Sequence, residues 1–432
     1  MKTLLKNARI LTMEDDHIIH GHLVIENNRI LYIGKEENKF APYDVVRDIK
    51  GNLLMPGFKN AHTHSAMTFL RSKTDDFNLQ DWLFKVVIPR EELLTENDVY
   101  VFAKVAFLEY LTSGITACFD QYYFPFGTAK AAEEMGMRIV LLGTYNNQFG
   151  KDDIRRLYHE INDKDGLVKY CFGIHAEYTC PENELEIMNE LVHEEKAMFY
   201  THISETEKEV QECIEKRGKS PVKTFIDKGL YDFGGGGYHC VHFSKEDAQL
   251  FKKYNLNVVT CPGSNTKLAS GIAPINYYVK LGINVAIGTD GPASNNSLDM
   301  FKEMTLLYAS TKIREKDPTA LDAFSILKMA TVNGAKAMGY KDNGLLKEGY
   351  IADIIEIDLS RPNMQPINNI INNIVFSGSK DNIAMTMIDG KILYADRNFY
   401  LKENIEDIYR ECQEASERIE EKFQKVIKDG NK

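Results

Sequence analysis

His62 and His64 stand one residue apart in the stretch PGFKNAHTH, just after a short apolar run. Side chains at i and i+2 of a strand point the same way, so both imidazoles address one small volume. Three more short apolar runs carry groups of the same chemical kind: THISE holds His202 and Glu205, YHCVH holds His239 and His242, and IGTD ends in Asp290. Imidazole nitrogen and carboxylate oxygen suit zinc or a similar divalent ion. His62, His64, His202 and Asp290 are assigned as ligands, with a water completing the shell. Such an ion lowers the water's pKa towards about 7 and gives hydroxide at neutral pH. Glu205, three residues past His202, is placed to bend over the site and act as general acid and base. His239 is placed to donate to or orient the attacking hydroxide and stays outside the ligand shell.

Each residue also has a plainer reading. A lone strand histidine is more often packed or solvated than ligating. His20-Gly21-His22 repeats the H-x-H spacing, but its surroundings offer no further ligand. His17, His159 and His193 read as solvated, and His242 as a supporting residue. His175-Ala176-Glu177 with Cys180 imitates the H-x-E…P-C-x-x-C signature of the small zinc deaminases, yet no P-C-x-x-C follows. Asp290 could serve TDGP as a turn aspartate alone. The joint recurrence at the ends of separate apolar runs is what argues for a site.

The elements that would position these groups come from the pattern of the whole chain. It has 432 residues, 44% hydrophobic and 27% charged, long enough for one large domain and a smaller one. Net charge is −11 with no basic stripe, which argues against a nucleic-acid partner. Seven cysteines without a C-x-x-C pair read as reduced thiols. The start, MKTLLKNARILTMEDDH, has no apolar segment of signal-peptide type, and no run is long enough for a membrane helix. These features predict a cytoplasmic protein with no nucleic-acid or membrane partner.

Residues 1–55 read as a β meander, and 349–400 repeat that texture, so the two ends are expected to form one small β-sandwich. Residues 401–432 read as a surface helix. Between them, over 56–348, eight β-rich runs from LLMPGFKNAHTH to INVAIGTD alternate with amphipathic stretches. This predicts an α/β fold, a closed (β/α)8 TIM-type barrel, with an open doubly wound sheet as the alternative. Gly234–Gly237 reads as a turn before a strand, and no G-x-G-x-x-G occurs. The candidate ligands then fall at the C-terminal strand ends, where barrel active sites lie.

Several stretches carry a family resemblance. PGFKNAHTHSAM, DDFNLQDWLFKVVIPREELLTE, HISETEKE, HCVH, CPGSNTKLASGIAPI and GTDGPASNNSLDMF resemble the amidohydrolase superfamily. Within it they look like the 5-methylthioadenosine/S-adenosylhomocysteine deaminase branch, grouped with atrazine chlorohydrolase and guanine deaminase relatives. The resemblance covers nearly the whole chain. It implies a small-molecule substrate, a purine nucleoside deaminated hydrolytically with one divalent ion, zinc or else iron(II) or manganese. Metal-bound hydroxide adds to the amino-bearing ring carbon, Glu205 protonates ring nitrogen, Asp290 takes the water's proton, and ammonia leaves. It also implies that Trp82, Glu91 and His175 contact the nucleoside, Glu91 at the ribose hydroxyls, with Ser294 near the ring. Two-metal relatives bridge their ions with a modified lysine at the fourth strand end; His175 stands here, so one ion is expected. Relatives are often dimers or tetramers, which implies a homo-oligomer.

One position departs from the pattern. Members accepting S-adenosylhomocysteine tend to carry an arginine late in strand three, where this chain has Gly143. Arg155 and Arg156 follow in the next helix as substitutes or as a solvated face. Methylthioadenosine, adenosine, 5′-deoxyadenosine and S-adenosylhomocysteine thus stand together as candidate substrates. Tyr122 and Tyr123 are offered as an aromatic wall or as core packing. Two other readings remain: action on another ring such as guanine or a triazine, and a non-catalytic metal-binding scaffold. Glu205 weighs against the scaffold, since structural metal sites need no proton shuttle.

Overall fold

The computed structural model describes residues 1–73, 75–77, 79–143, 150–162, 164 and 166–430. Strands β1 (Lys2–Leu11), β2 (Ile18–Glu26) and β3 (Arg29–Gly34) form an antiparallel meander. β4 (Val45–Asp48) and β5 (Leu53–Pro56) depart from that expectation, because both pair parallel to β1 on its other edge. The long β1 would otherwise leave that edge with unpaired backbone groups.

The run LLMPGFKNAHTH, expected as one strand, is cut at Gly57 and serves two sheets: β5 stays with the first, and β6 (Phe58–Thr63) opens the barrel. A Cβ at Gly57 would lie 2.1 Å from Thr116 Cγ2, so only glycine lets the chain cross there. Seven parallel strands follow: β7 (Ile115–Asp120), β8 (Arg138–Gly143), β9 (Val168–Gly173), β10 (Phe199–Ile203), β11 (Gly235–His239), β12 (Asn257–Thr260) and β13 (Asn284–Ile287). Neighbours pair in chain order from β6 to β13. A doubly wound sheet would reverse direction part-way, so the barrel holds.

Ring closure happens beside the chemistry. Asp290 N–H donates to the His62 carbonyl (3.0 Å), and the Asn60 amide exchanges two bonds with Thr289, at 2.8 and 2.7 Å. Ala61, Phe119, Leu142, Tyr200 and Tyr238 fill the barrel interior. Their neighbours Cys118, Leu141 and Phe199 pack outward with the helices, as the two-residue strand period requires. Gly235–Gly237, expected in a turn, lie inside β11. A Cβ at Gly235 would sit 1.9 Å from the Phe199 carbonyl oxygen, so these glycines let two backbones approach.

β14 (Ile354–Ile357), β15 (Ile383–Ile388), β16 (Lys391–Ala395) and β17 (Asn398–Phe399) rejoin the first sheet through β5, giving one nine-stranded mixed sheet from both chain ends. A buried charge cluster fastens it to the barrel. Asp353 accepts from Arg138 Nε (2.7 Å), Asn343 Nδ2 (2.8 Å) and Asp389 N–H (2.8 Å), with Lys59 Nζ at 3.6 Å. The last helix, Ile405–Gly430, lies against helix Glu96–Thr112. No helix among the described residues is long and apolar enough to cross a membrane.

Candidate active site

His62 lies near the end of β6 and His64 just beyond it, while Thr63 between them turns away to Tyr110 (Oγ1···Oη 2.8 Å). His202 sits in β10 and Asp290 three residues after β13. One ligand atom from each of these four buried residues lies within 4.8 Å of the other three. Nε2 of His64 and of His62 are 3.2 and 3.5 Å from Asp290 Oδ1. Asp290 and His239 hold left-handed φ of +57° and +66°, strained for non-glycine residues and kept by the surrounding structure.

Hydrogen bonds to the other ring nitrogens set the tautomers. His64 Nδ1 donates to the Gln121 carbonyl (2.6 Å) and His202 Nδ1 to the His175 carbonyl (2.7 Å), so Nε2 is the nitrogen each ring turns to the cluster. The His62 ring is fully buried and stacked 3.7 Å from Tyr238, and neither of its nitrogens has a hydrogen-bond partner. A buried polar atom without a partner costs about 1–3 kcal/mol, a cost that a cation at the lone pair removes. Burial holds His62 at about 3 and His202 well below the ordinary histidine value, so both are neutral donors. Burial pulls His64 down too, but the Asp290 carboxylate outweighs it and raises His64 to about 9, so a cation seated at its Nε2 would displace a proton. Burial pushes Asp290 up, but the His62 and His64 imidazoles beside its carboxylate hold it well below the carboxylate range. Three imidazoles and an ionised carboxylate fit a divalent metal.

This cluster opens into a cavity of about 550 Å³, within the range of small-ligand sites. Trp82, Leu83, Ile88, Tyr122, Tyr123 and Tyr178 line it with apolar and aromatic surface. Its polar groups are few and fixed. Glu205 Oε1 accepts from Ser270 Oγ (3.1 Å) and Oε2 lies 3.9 Å from His239 Nε2. Burial raises the Glu205 carboxyl above its ordinary range, against the pull of His239. Glu209 holds the Glu205 loop by accepting the Ser204 and Glu205 N–H groups at 2.7 and 2.8 Å. His239 Nδ1 donates to Asn265 Oδ1 (2.8 Å), so its Nε2 is an acceptor. Glu91 accepts from Tyr122 Oη (2.7 Å), and burial pushes its carboxyl up to about 7. Burial keeps His175 at about 4, hence neutral, beside the Thr179 hydroxyl (2.9 Å).

Of the residues expected at the site, Trp82, Glu91, His175, Glu205 and His239 line this one cavity with His64, His202 and Asp290. Ser294 does not. It is buried behind Asp290, donating to Asp290 Oδ2 (2.8 Å), because the turn after TDG folds it under the carboxylate. Tyr122 and Tyr123 form cavity wall. An arginine at Gly143 would have to displace Tyr170, since a Cβ there would lie 2.0 Å from Tyr170 Oη. Arg155 is paired with Asp152 (2.8 Å) and Glu194 (2.6 Å), and Arg156 with Asp153 (3.1 Å), and neither lines the cavity. Residues 144–149 lie outside the described residues. His242 Nε2 donates to the Ser270 carbonyl (2.7 Å), supporting the residue that holds Glu205.

Sequence reasoning missed Asn265, Ser270 and Glu209. Glu209 was within reach, as a carboxylate four residues past Glu205 in the first turn of helix Glu207–Arg217. Nothing local in CPGSNTKLAS ties Asn265 or Ser270 to its partner.

Residues 53–393 match the amidohydrolase family. The chain belongs to that family. As an amidohydrolase it is a hydrolase of carbon–nitrogen bonds, and its His/His/His/Asp cluster is a divalent-metal site. It is 40% identical over 408 residues to a 5-methylthioadenosine/S-adenosylhomocysteine deaminase of Thermoanaerobacter pseudethanolicus, covering 92% of this chain and 94% of that one. It is 37% identical over 426 residues to a 5′-deoxyadenosine deaminase of Methanosarcina mazei, covering 96% and 98%. The crystal structure of an adenosine deaminase from Xanthomonas campestris with bound zinc matches with TM-score 0.91 and 27% identity, over 97% of this chain and 98% of that one.

Proposed function

We propose that the protein is a hydrolytic deaminase of adenine nucleosides: methylthioadenosine, adenosine, 5′-deoxyadenosine or S-adenosylhomocysteine. The observation that carries this is the four-donor cluster opening into an aromatic cavity whose other polar groups include Glu205 and His239. The names of the relatives support the same substrate class. His62, His64, His202 and Asp290 would hold one ion, proposed as zinc. When bound, it supplies Lewis acidity that brings the pKa of a water towards about 7.

The protein's own groups carry the protons. An aromatic amine is a poor leaving group until both the water and the ring nitrogen are activated. Glu205, whose carboxyl burial raises above its ordinary range, gives its proton to ring N1 as water oxygen adds to the amino-bearing carbon. His239 Nε2 accepts a hydrogen bond from that water and fixes its approach. Asp290 takes the water's proton and passes it to the departing amine, while its geometry is held by Ser294. The adduct's hydroxyl proton returns to Glu205, the carbon–nitrogen bond breaks, and ammonia leaves. Trp82 and His175 contact the nucleoside, and Glu91, tied to Tyr122, holds the ribose hydroxyls. The reading extends to a homo-oligomer in the cytoplasm, in keeping with seven free thiols.

Purified zinc-loaded protein should release ammonia from at least one of these nucleosides and shift its ultraviolet spectrum to that of the hypoxanthine product. Glu91→Ala should cripple nucleoside turnover more than that of free adenine. Absence of turnover across the nucleosides, with metal bound, would overturn the reading.

A further inference from the structure

Trp82 and Glu91 stand on one short stretch, built from Leu79–Asp81, Trp82–Val87 and Ile88–Glu91. Its inner side, through Trp82, Leu83, Ile88 and Glu91, lines the cavity. Arg90, beside Glu91, is turned instead to the C-terminal helix. Its guanidinium lies 3.7 Å over the Phe423 ring and donates Nε and Nη2 to the two oxygens of Glu420, at 3.0 and 3.2 Å. Its Nη1 reaches back to the Val86 carbonyl (2.9 Å), stapling the turn on which it stands. Ala415 and Ile419 of the helix share an apolar cluster with Trp82, Leu83 and Val87.

The same helix is anchored to the barrel. Arg418 pairs with Asp98, which closes the capping box of helix Glu96–Thr112 with Thr95, and Lys104 of that helix pairs with Glu403 just ahead of the C-terminal helix. A bidentate Arg–carboxylate pair resting on an aromatic face fixes orientation as well as distance. The wall is three short helical turns rather than a strand.

We infer that the C-terminal helix is a strap that positions the substrate-binding wall, with Arg90 as the positioning residue acting through Trp82 and Glu91. Its kinetic consequence rests on the nucleoside reading. The clamp touches neither the four donors nor Glu205 or His239, so it bears on binding and leaves the chemical step alone.

Trp82 is the only tryptophan in the chain, so tryptophan fluorescence excited beyond the tyrosine absorption band reports this wall alone. In Arg90→Ala and, separately, Glu420→Ala, its emission should shift to the red and acrylamide quenching should rise several-fold. KM for methylthioadenosine should rise about tenfold as the wall loses its preorganisation, with kcat within about twofold and bound metal unchanged. Arg90→Lys, which keeps the charge and loses the fork, should fall between. Arg410→Ala, removing a pair with Asp407 inside the helix, should leave fluorescence and KM unmoved. If Arg90→Ala does not fold, Glu420→Ala removes the same fork from the other side and decides the matter. Wild-type quenching and KM in Glu420→Ala would overturn the strap. If the wild-type protein turned over no nucleoside, the function proposal would fail, and the fluorescence of both variants would still decide the strap.

Discussion

Replacing Glu205 by glutamine separates proton movement from shape. The two side chains have the same outline, and the amide oxygen can still accept from Ser270 Oγ, now 3.1 Å from Glu205 Oε1. Glu205 is not among the four clustered donors, so metal content should stay at the wild-type level. The variant loses a carboxyl raised by burial and held 3.9 Å from His239 Nε2. Proton transfer by a positioned side chain is worth about 10²–10⁴-fold. A group this enclosed belongs at the upper end, so kcat should fall about 10³–10⁴-fold, or about 4–5 kcal/mol of barrier. The pH dependence carries a sign as well. The acid must arrive protonated, so wild-type kcat/KM should fall as pH rises through the raised pKa of Glu205, and the glutamine variant should lack that limb. The assay is the ultraviolet change on methylthioadenosine from about pH 5 to 9, which brackets neutral operation, with ammonia release and elemental analysis alongside. A variant keeping more than about a tenth of wild-type kcat with its metal bound would refute this role. Loss of the metal together with activity would instead place Glu205 in the ligand set.

Stripping the metal with a chelator should lower the thermal midpoint, because an ion bound only to the folded chain contributes about 2.7 kcal/mol at a hundredfold excess over Kd. An unchanged midpoint in calorimetry, with metal removal verified, would count against the His/Asp cluster as its site. Asp353→Ala takes the buried partner from Lys59 and leaves Arg138 with Asp389, and should cost about 3–5 kcal/mol in denaturant unfolding. A loss below about 1 kcal/mol would mean that water reaches the cluster and screens it. Burial pulls Lys59 from its ordinary 10.5 down to about 8, so between those values the unfolded chain holds a proton that the folded chain lacks. The penalty is therefore full below about pH 8 and relieved as pH rises towards 10.5. Relative to Lys59→Met, the wild type should gain about 3 kcal/mol across that interval; parallel stability curves would refute it.

The barrel was legible because its strands are short apolar runs at regular intervals, each followed by an amphipathic stretch, and chain-order pairing is what such units produce. The one-residue spacing of His62 and His64 announced a shared direction, since it follows from strand geometry alone. Glycine proved ambiguous. At Gly57 and Gly235 the residue marks a close approach of another segment, and the approaching atoms, Thr116 and the Phe199 carbonyl, are remote in sequence. Nothing in either stretch distinguishes such a glycine from one in a turn. Ser294 failed for a related reason: position after TDG told that it was near the site, while the fold of the turn decided which way it faced.

Residue type and spacing along this chain were enough to pick out the four clustered donors, the cavity carboxyl Glu205 and the strands that carry them. These are properties of local geometry, repeated at each strand end. Only the tertiary structure decided that Asn265 sets the tautomer of His239, that Ser270 holds Glu205, and that Arg90 is clamped by Glu420 across 330 residues of chain. Each of those bonds joins side chains whose separation in sequence carries no information about their separation in space. What brings them together is the closing of the ring and the docking of the last helix, and burial then gives each contact its energy by excluding the water that would compete for it.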